Sequence, residues 1–170
     1  MFFTGDLRAS MIKALAAYRW ELCRTTKGTL WADPVEGGLT GSFYDYVTFF
    51  KKNSKLSIEA KEKLQDIINN NRKDPKRVFT LFYVTWMEYE RKGILKLDRA
   101  SREIFFKYIP FNKAIRETLA KIPAFSDLAD KYNIITNREI MRIENRYKKA
   151  KNEAGEYPLE IQETLDYLNK

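Results

Sequence analysis

A chain of 170 residues with 44 % hydrophobic and 14 % aromatic content holds enough apolar mass for a packed core, which excludes a disordered polypeptide. With one cysteine and no histidine, it lacks internal disulfides, His/Cys zinc sites and the Ser-His and Cys-His nucleophile systems, and so points away from an enzyme. The net charge of +8 is concentrated in residues 51–113, where sixteen basic side chains face eight acidic ones, a field that selects nucleic acid, an anionic surface or an acidic protein.

The first helix is expected over Met11–Arg24. At about 100° per residue, Met11, Leu15, Tyr18 and Leu22 form one stripe, with Arg19 at its edge. Lys13, Trp20 and Arg24 point away from it, and such a seam reads either as plain helix packing or as the mouth of a hydrophobic tunnel with a positive rim, the second being favoured by the residues that follow. The Gly- and Pro-bearing stretch 25–42 reads as a flexible connection. Its Gly37-Gly38 pair follows no strand and precedes no Gly-Lys-Ser/Thr, so it is not a phosphate loop. A second helix is expected from Ser42, weakly capped with Asp45, carrying Phe43, Tyr46, Val47 and Phe50 inward. It ends at Lys51-Lys52-Asn53. A third begins at Ser57 and carries Ile58, Leu64, Ile67 and Ile68.

The fourth helix has the clearest boundaries. Asp74 suits the N-cap, Pro75 the first helical position and Gly93 the stop. Val78, Phe79, Phe82, Trp86 and Tyr89 form a wide apolar face, with Leu81, Val84 and Met87 behind, as expected of a helix covered on both sides. Asp98 caps a fifth helix that Pro110 ends, and Asn112–Ile122 forms the next, stopped by Pro123. Ser126 then opens a short helix. Thr136 with Glu139 makes a capping box before another, and Pro158 opens the last, with Leu159, Ile161, Leu165 and Leu168. No strand alternation and no repeat appears. The expected fold is all-α: a bundle over residues 1–95 around a buried fourth helix, and a helical extension over 96–170. No apolar run has the length to span a bilayer.

KALAAYRWELCR, followed by YDYVTFFKKNS, resembles the mitochondrial LYR family, named for a Leu-Tyr-Arg motif in its first helix. Here the motif has the divergent form Ala17-Tyr18-Arg19. The family's aromatic-basic cluster at the end of the second helix is matched by Phe50-Lys51-Lys52-Asn53, with Lys51 in the place of Arg. The resemblance covers roughly residues 11–72. It implies a three-helix bundle that binds the mitochondrial acyl carrier protein, an acidic partner with an acyl chain on a phosphopantetheine arm. Tyr18 would then line a tunnel for the chain and Phe50 would shape its wall. An acyl tail buried there gains about 0.8 kcal/mol per methylene. Arg19, Arg24, Lys51 and Lys52 would form the positive rim that meets acidic groups. No cofactor would be bound directly, only the partner's acyl-phosphopantetheine. The resemblance further implies a non-catalytic accessory subunit or assembly factor on the matrix side of the mitochondrion. A respiratory-chain complex comes first and the mitochondrial ribosome next, with residues 96–170 offering surface to neighbouring subunits.

A competing reading is nucleic-acid binding, through the basic middle or through residues 126–150. LADKYNIITNREIMRIEN resembles a phage-repressor-like helix-turn-helix. Leu128, Ala129, Ile140 and Ile143 would pack, while Asn137, Arg138 and Arg142 would face the major groove. Against it, the spacing is one residue long, which rotates the second helix by about 100°, and the turn lacks its usual glycine.

Overall fold

The computed structural model describes residues 6–152 and 155–169, and among them the chain is helical and without a strand. Eight α-helices follow in order: α1 Leu7–Lys27, α2 Gly38–Phe49, α3 Ile58–Asn70, α4 Pro75–Glu88, α5 Arg99–Tyr108, α6 Lys113–Leu119, α7 Pro123–Tyr147 and α8 Leu159–Asn169. They fall into two compact units, residues 1–110 and 111–170. The first unit thus runs past the expected division at 95/96, because α5 packs on α2.

Most helix starts follow from side-chain caps. The side chains of Asp6, Ser57, Asp74, Asp98 and Asn112 each accept a hydrogen bond from a backbone N–H two or three residues ahead. Each such cap stabilises its helix by about 1 kcal/mol. Pro75 occupies the first turn of α4 as expected, and Gly93, in the left-handed region at φ 77°, stands at its far end beyond a short 3-10 turn.

The connection between α1 and α2 is built rather than flexible. α1 continues to Lys27, a 3-10 turn spans Gly28–Leu30, and α2 starts at Gly38 instead of Ser42. The Asp33 carboxylate accepts the N–H groups of Val35 and Glu36, both at 2.8 Å, while its carbonyl accepts that of Gly37. Those donors, that of Glu36 foremost, hold the Asp33 carboxyl below its ordinary range. Thr40 is fully buried and donates to the carbonyl of Trp31 at 2.8 Å. A buried polar group satisfied in this way orders the turn it bonds to.

The core of the first unit is a cluster of aromatic rings around Phe43. Trp20 of α1, Phe79 and Phe82 of α4 and Phe105 of α5 lie 5.3 to 6.3 Å from its centroid, the edge-to-face and tilted range. Phe79 and Phe105 stack with planes 5° apart. Burial of each such side chain contributes about 1.5–3 kcal/mol. Trp86 is fully buried and donates through Nε1 to the Ile109 carbonyl at 3.1 Å. Helix α4 is not covered on every side, however. Tyr89, expected inward, is half-exposed at the end of α4, and Leu81 is half-exposed as well.

One ion pair lies inside this unit. Glu90 is fully buried and accepts from Arg102 Nε at 2.7 Å and from the backbone N–H groups of Lys96 and Leu97 at 2.6 and 2.7 Å. Arg102 also donates to the Leu97 carbonyl. The pair clasps the segment that joins α4 to α5. Such a clasp needs all its hydrogen bonds to offset the desolvation of two charges.

In the second unit α7 is one continuous helix of 25 residues. The expected break before Thr136 is absent, because residues 124–147 contain neither Gly nor Pro and Thr136 lies within the helix instead of capping one. A helix-turn-helix over 126–150 is therefore excluded: the would-be turn is helical backbone. Leu119, Phe125, Leu128, Ala129 and Leu165 are buried, and the Arg116 guanidinium lies 4.7 Å over the ring of Tyr132.

Candidate docking surface

Helix α1 carries two apolar stripes, and the core takes the one that the periodicity did not favour. Ile12, Ala16 and Trp20 are buried, one helical turn apart. Trp20 decides the matter: its indole reaches Phe43, Phe79 and Trp31 with centroids 5.3 to 6.3 Å away. No residue of the competing stripe fills that volume. Cys23 lies on the buried side, its sulfur 3.5 Å from both the Gly37 carbonyl and the Thr40 hydroxyl.

The stripe expected to pack against other helices or to open onto a tunnel is turned outward. Leu7, Met11, Leu15, Tyr18 and Leu22 are 52 to 74 % exposed. They repeat at intervals of three and four residues along about four turns of helix, a length of about 20 Å. Five large apolar side chains in one exposed row exceed the scatter of single apolar residues normal on a protein surface. The row has the geometry of a helix seam that awaits a partner.

The cations expected to form a rim are unequal in availability. Arg19 is exposed at the edge of the row, and among the described residues no ion pair engages it. Arg24 is bonded to Glu21 at 2.7 Å, and Glu21 also accepts from Lys76 at 2.7 Å. These two cations, Lys76 first, hold the Glu21 carboxyl below its ordinary range. Arg8 is joined to Glu88 at 2.8 Å, which ties the start of α1 to the end of α4. Lys51 and Lys52 are exposed on the 3-10 turn after α2, and Lys51 Nζ lies 5.8 Å from the Phe50 ring centroid. Phe50 itself is buried.

The structure thus separates the residues that were expected to share a tunnel. Tyr18 stands on the outer surface and Phe50 in the core, and no ring contact joins them among the described residues. Tyr18 is 63 % exposed, which leaves its side chain open to a partner. Met11, Leu15 and Leu22 lie exposed along the same row. Among the described residues no group of three His, Cys, Asp or Glu side chains is placed to hold a metal ion, and no helix is long and apolar enough to cross a membrane.

A family model described as a domain of unknown function, DUF8509, matches residues 28–167. The chain belongs to this family. No curated protein and no solved structure matches the chain. The matched span begins at Gly28 and therefore holds α2 to α7 and most of α8, whereas α1 and its exposed row precede it.

Proposed function

We propose that this chain is a non-catalytic helical adaptor that holds an acidic partner protein against the outer face of α1. The observation that carries the reading is the exposed row Leu7, Met11, Leu15, Tyr18 and Leu22 with the Arg19 cation at its edge. Docking against such a row gains about 25 cal/mol per Å² of apolar surface removed from water. Arg19, Lys51 and Lys52 meet acidic side chains of the partner, which quickens encounter and sets orientation more than it adds affinity.

The resemblance of Ala17-Tyr18-Arg19 and Phe50-Lys51-Lys52-Asn53 to the LYR family supplies the partner class: the mitochondrial acyl carrier protein. On this reading the chain belongs to a larger mitochondrial assembly, a respiratory-chain complex in the first place, and works on the matrix side. The competing nucleic-acid reading retains the basic excess of residues 51–113 as its support.

The test mixes the purified full chain with phosphopantetheinylated acyl carrier protein and follows the mixture by size exclusion and native mass spectrometry. A stoichiometric complex that disappears in the double variant Tyr18→Ala, Arg19→Glu, with an unchanged circular dichroism spectrum, is the expected result. Both side chains are exposed, so the fold survives their replacement. Undiminished binding by the variant, or no complex at any salt concentration, sinks the proposal. Salt-dependent retention on a nucleic-acid column in place of the complex favours the competing reading.

A further inference from the structure

The second unit carries a surface of its own on α7. From Lys131 onward this helix has two faces. Tyr132, Thr136, Ile140, Ile143 and Tyr147 are half-buried on the side that meets α6 and α8. On the other side Lys131, Ile134, Ile135, Arg138, Met141 and Arg142 are all exposed, the three apolar ones by 51 to 61 %. At about 100° per residue these six fall within an arc of about 120° centred on Arg138, along about 17 Å of unbroken helix. Arg138 and Arg142, expected to face a DNA groove from the second helix of a helix-turn-helix, thus share one convex surface with three exposed apolar side chains.

The arc is cationic. Residues 131–151 hold seven basic and two acidic side chains, whereas residues 152–169 hold five acidic and no basic ones. The two acids, Glu139 and Glu144, lie about 100° or more from the centre of the arc, one on each side. Asp127, one turn before Lys131, ends the cationic run. Lys131 and Arg138 engage no ion pair among the described residues. Arg142 meets Glu139 at 3.7 Å with both side chains exposed, a pairing that leaves the cation in water. Glu160 of α8 stands with Arg142 and Arg146 at the opening between α7 and α8, to one side of the arc. Past the helix, Lys148, Lys149 and Lys151 are exposed and extend the positive field.

We propose that this arc of α7 lies on the anionic headgroup layer of a lipid bilayer. Ile134, Ile135 and Met141 dip below the headgroups, and Lys131, Arg138 and Arg142 reach back to their phosphates. The order of residues within the arc favours a membrane over other anionic partners. Arg138 stands among the apolar residues, one turn from both Ile134 and Met141, so the arc has no continuous apolar seam for a partner helix. A protein that sealed the three apolar side chains would bury that cation, at a desolvation cost. Nucleic acid offers phosphates but no apolar surface for Ile134, Ile135 and Met141 to enter. A headgroup layer offers both, anions at the level of the cations and acyl chains just beneath, where long basic side chains keep their charged ends in the polar zone. The contact is with the surface only, and it does not depend on the α1 reading.

The probe is a large unilamellar vesicle of phosphatidylserine and phosphatidylcholine in equal parts, with pure phosphatidylcholine as the uncharged reference, and binding of the full-length chain is read by co-sedimentation. Saturable binding to the anionic vesicles is expected, with little to the reference. The pair Arg138→Glu, Arg142→Glu weakens it about tenfold or more, since each cation near such a surface adds to the attraction. The pair Ile134→Ser, Met141→Ser weakens it about fivefold or more at unchanged charge. The pair Lys51→Glu, Lys52→Glu alters the charge equally in the first unit and changes binding less than about twofold, because salt confines the reach of each charge. The Tyr18, Arg19 double variant leaves it unchanged, so this contact and the α1 reading fail separately. Circular dichroism of each variant verifies that the exposed substitutions preserve the fold. Absence of saturable binding to the anionic vesicles overturns the proposal. Equal weakening by the α7 and Lys51, Lys52 charge pairs overturns it too, since this signifies general attraction to a basic protein. So does full binding by the Ile134, Met141 variant, which removes the apolar contact. If the Arg138, Arg142 variant loses retention on nucleic acid or the acyl carrier protein complex while vesicle binding persists, the arc is a contact for that macromolecule and the proposal falls.

Discussion

Gly41 has no space for a β-carbon. One built there stands 1.9 Å from the carbonyl oxygen of Asp33 and 2.8 Å from its carbonyl carbon. That carbonyl is itself fixed by the N–H of Gly37, where a β-carbon likewise meets three backbone oxygens within 2.7 Å. Close approach, not backbone angle, is the reason for glycine at both positions. Gly41→Ala must push the turn at 31–37 off α2. The expected cost is about 1–3 kcal/mol, read as a lower urea midpoint with an unchanged slope. Tyr46 makes a different prediction. Burial first, then the charge of Asp98 and the hydrogen bond to it, push the Tyr46 phenol well above its ordinary value of 10.0. With its pKa raised in the folded state, the group contributes stability that is complete below pH 10 and is lost as pH rises beyond it. Tyr46→Phe costs the hydrogen bond to Asp98, about 1.5–3 kcal/mol, and flattens the alkaline fall of stability. If the alkaline limb of the stability–pH curve keeps its slope in the variant, Tyr46 is not its source.

At the scale of elements, α1 and α7 illustrate opposite ways in which helical pattern is ambiguous. In α1 both Ile12–Ala16–Trp20 and Met11–Leu15–Tyr18–Leu22 satisfy a helical repeat, and only the size of the core opening selects between them. In α7 a capping box, Thr136 with Glu139, stands inside unbroken helix. The box lowers the cost of starting a helix at Thr136, but nothing between 124 and 147 obliges one to stop. Thr136→Pro separates the two arrangements. Within a continuous helix it removes a backbone hydrogen bond and clashes with the preceding turn, at a cost of about 3 kcal/mol. At a turn or first-turn position proline is tolerated. The expected outcome is a loss of helical circular dichroism signal and a lower melting temperature; an unchanged melt means that a break precedes residue 136.

At the scale of the whole molecule, the basic stretch and the exposed row of α1 are separate features. The basic excess lies in residues 51–113, and the α1 row lies outside it, with Arg19 exposed at its edge. Docking on the row is therefore expected to respond less to salt than contacts made by the basic stretch, since screening weakens exposed charge contacts far more than apolar burial. The two also differ with respect to the family. The basic stretch falls inside the matched span 28–167, and α1 precedes it.

The sequence by itself determined the all-α class, most helix boundaries and the aromatic core residues of α2 and α4. Caps, prolines and breaks are local chemistry, and each acts through atoms a few residues apart: Asp74 and Pro75 start α4 whatever packs upon it. Tertiary structure alone decided which stripe of α1 turns inward, that residues 28–37 form a built turn, and that Glu90 and Arg102 join. Each of these depends on groups far apart in the chain or on the volume left by other elements. The row on α1 was legible as a stripe but not as a surface. A helical repeat records that apolar side chains align and does not record what stands opposite them. Trp20, expected from the repeat to point away, fills the space between α2 and α4 and thereby turns Tyr18 to the outside.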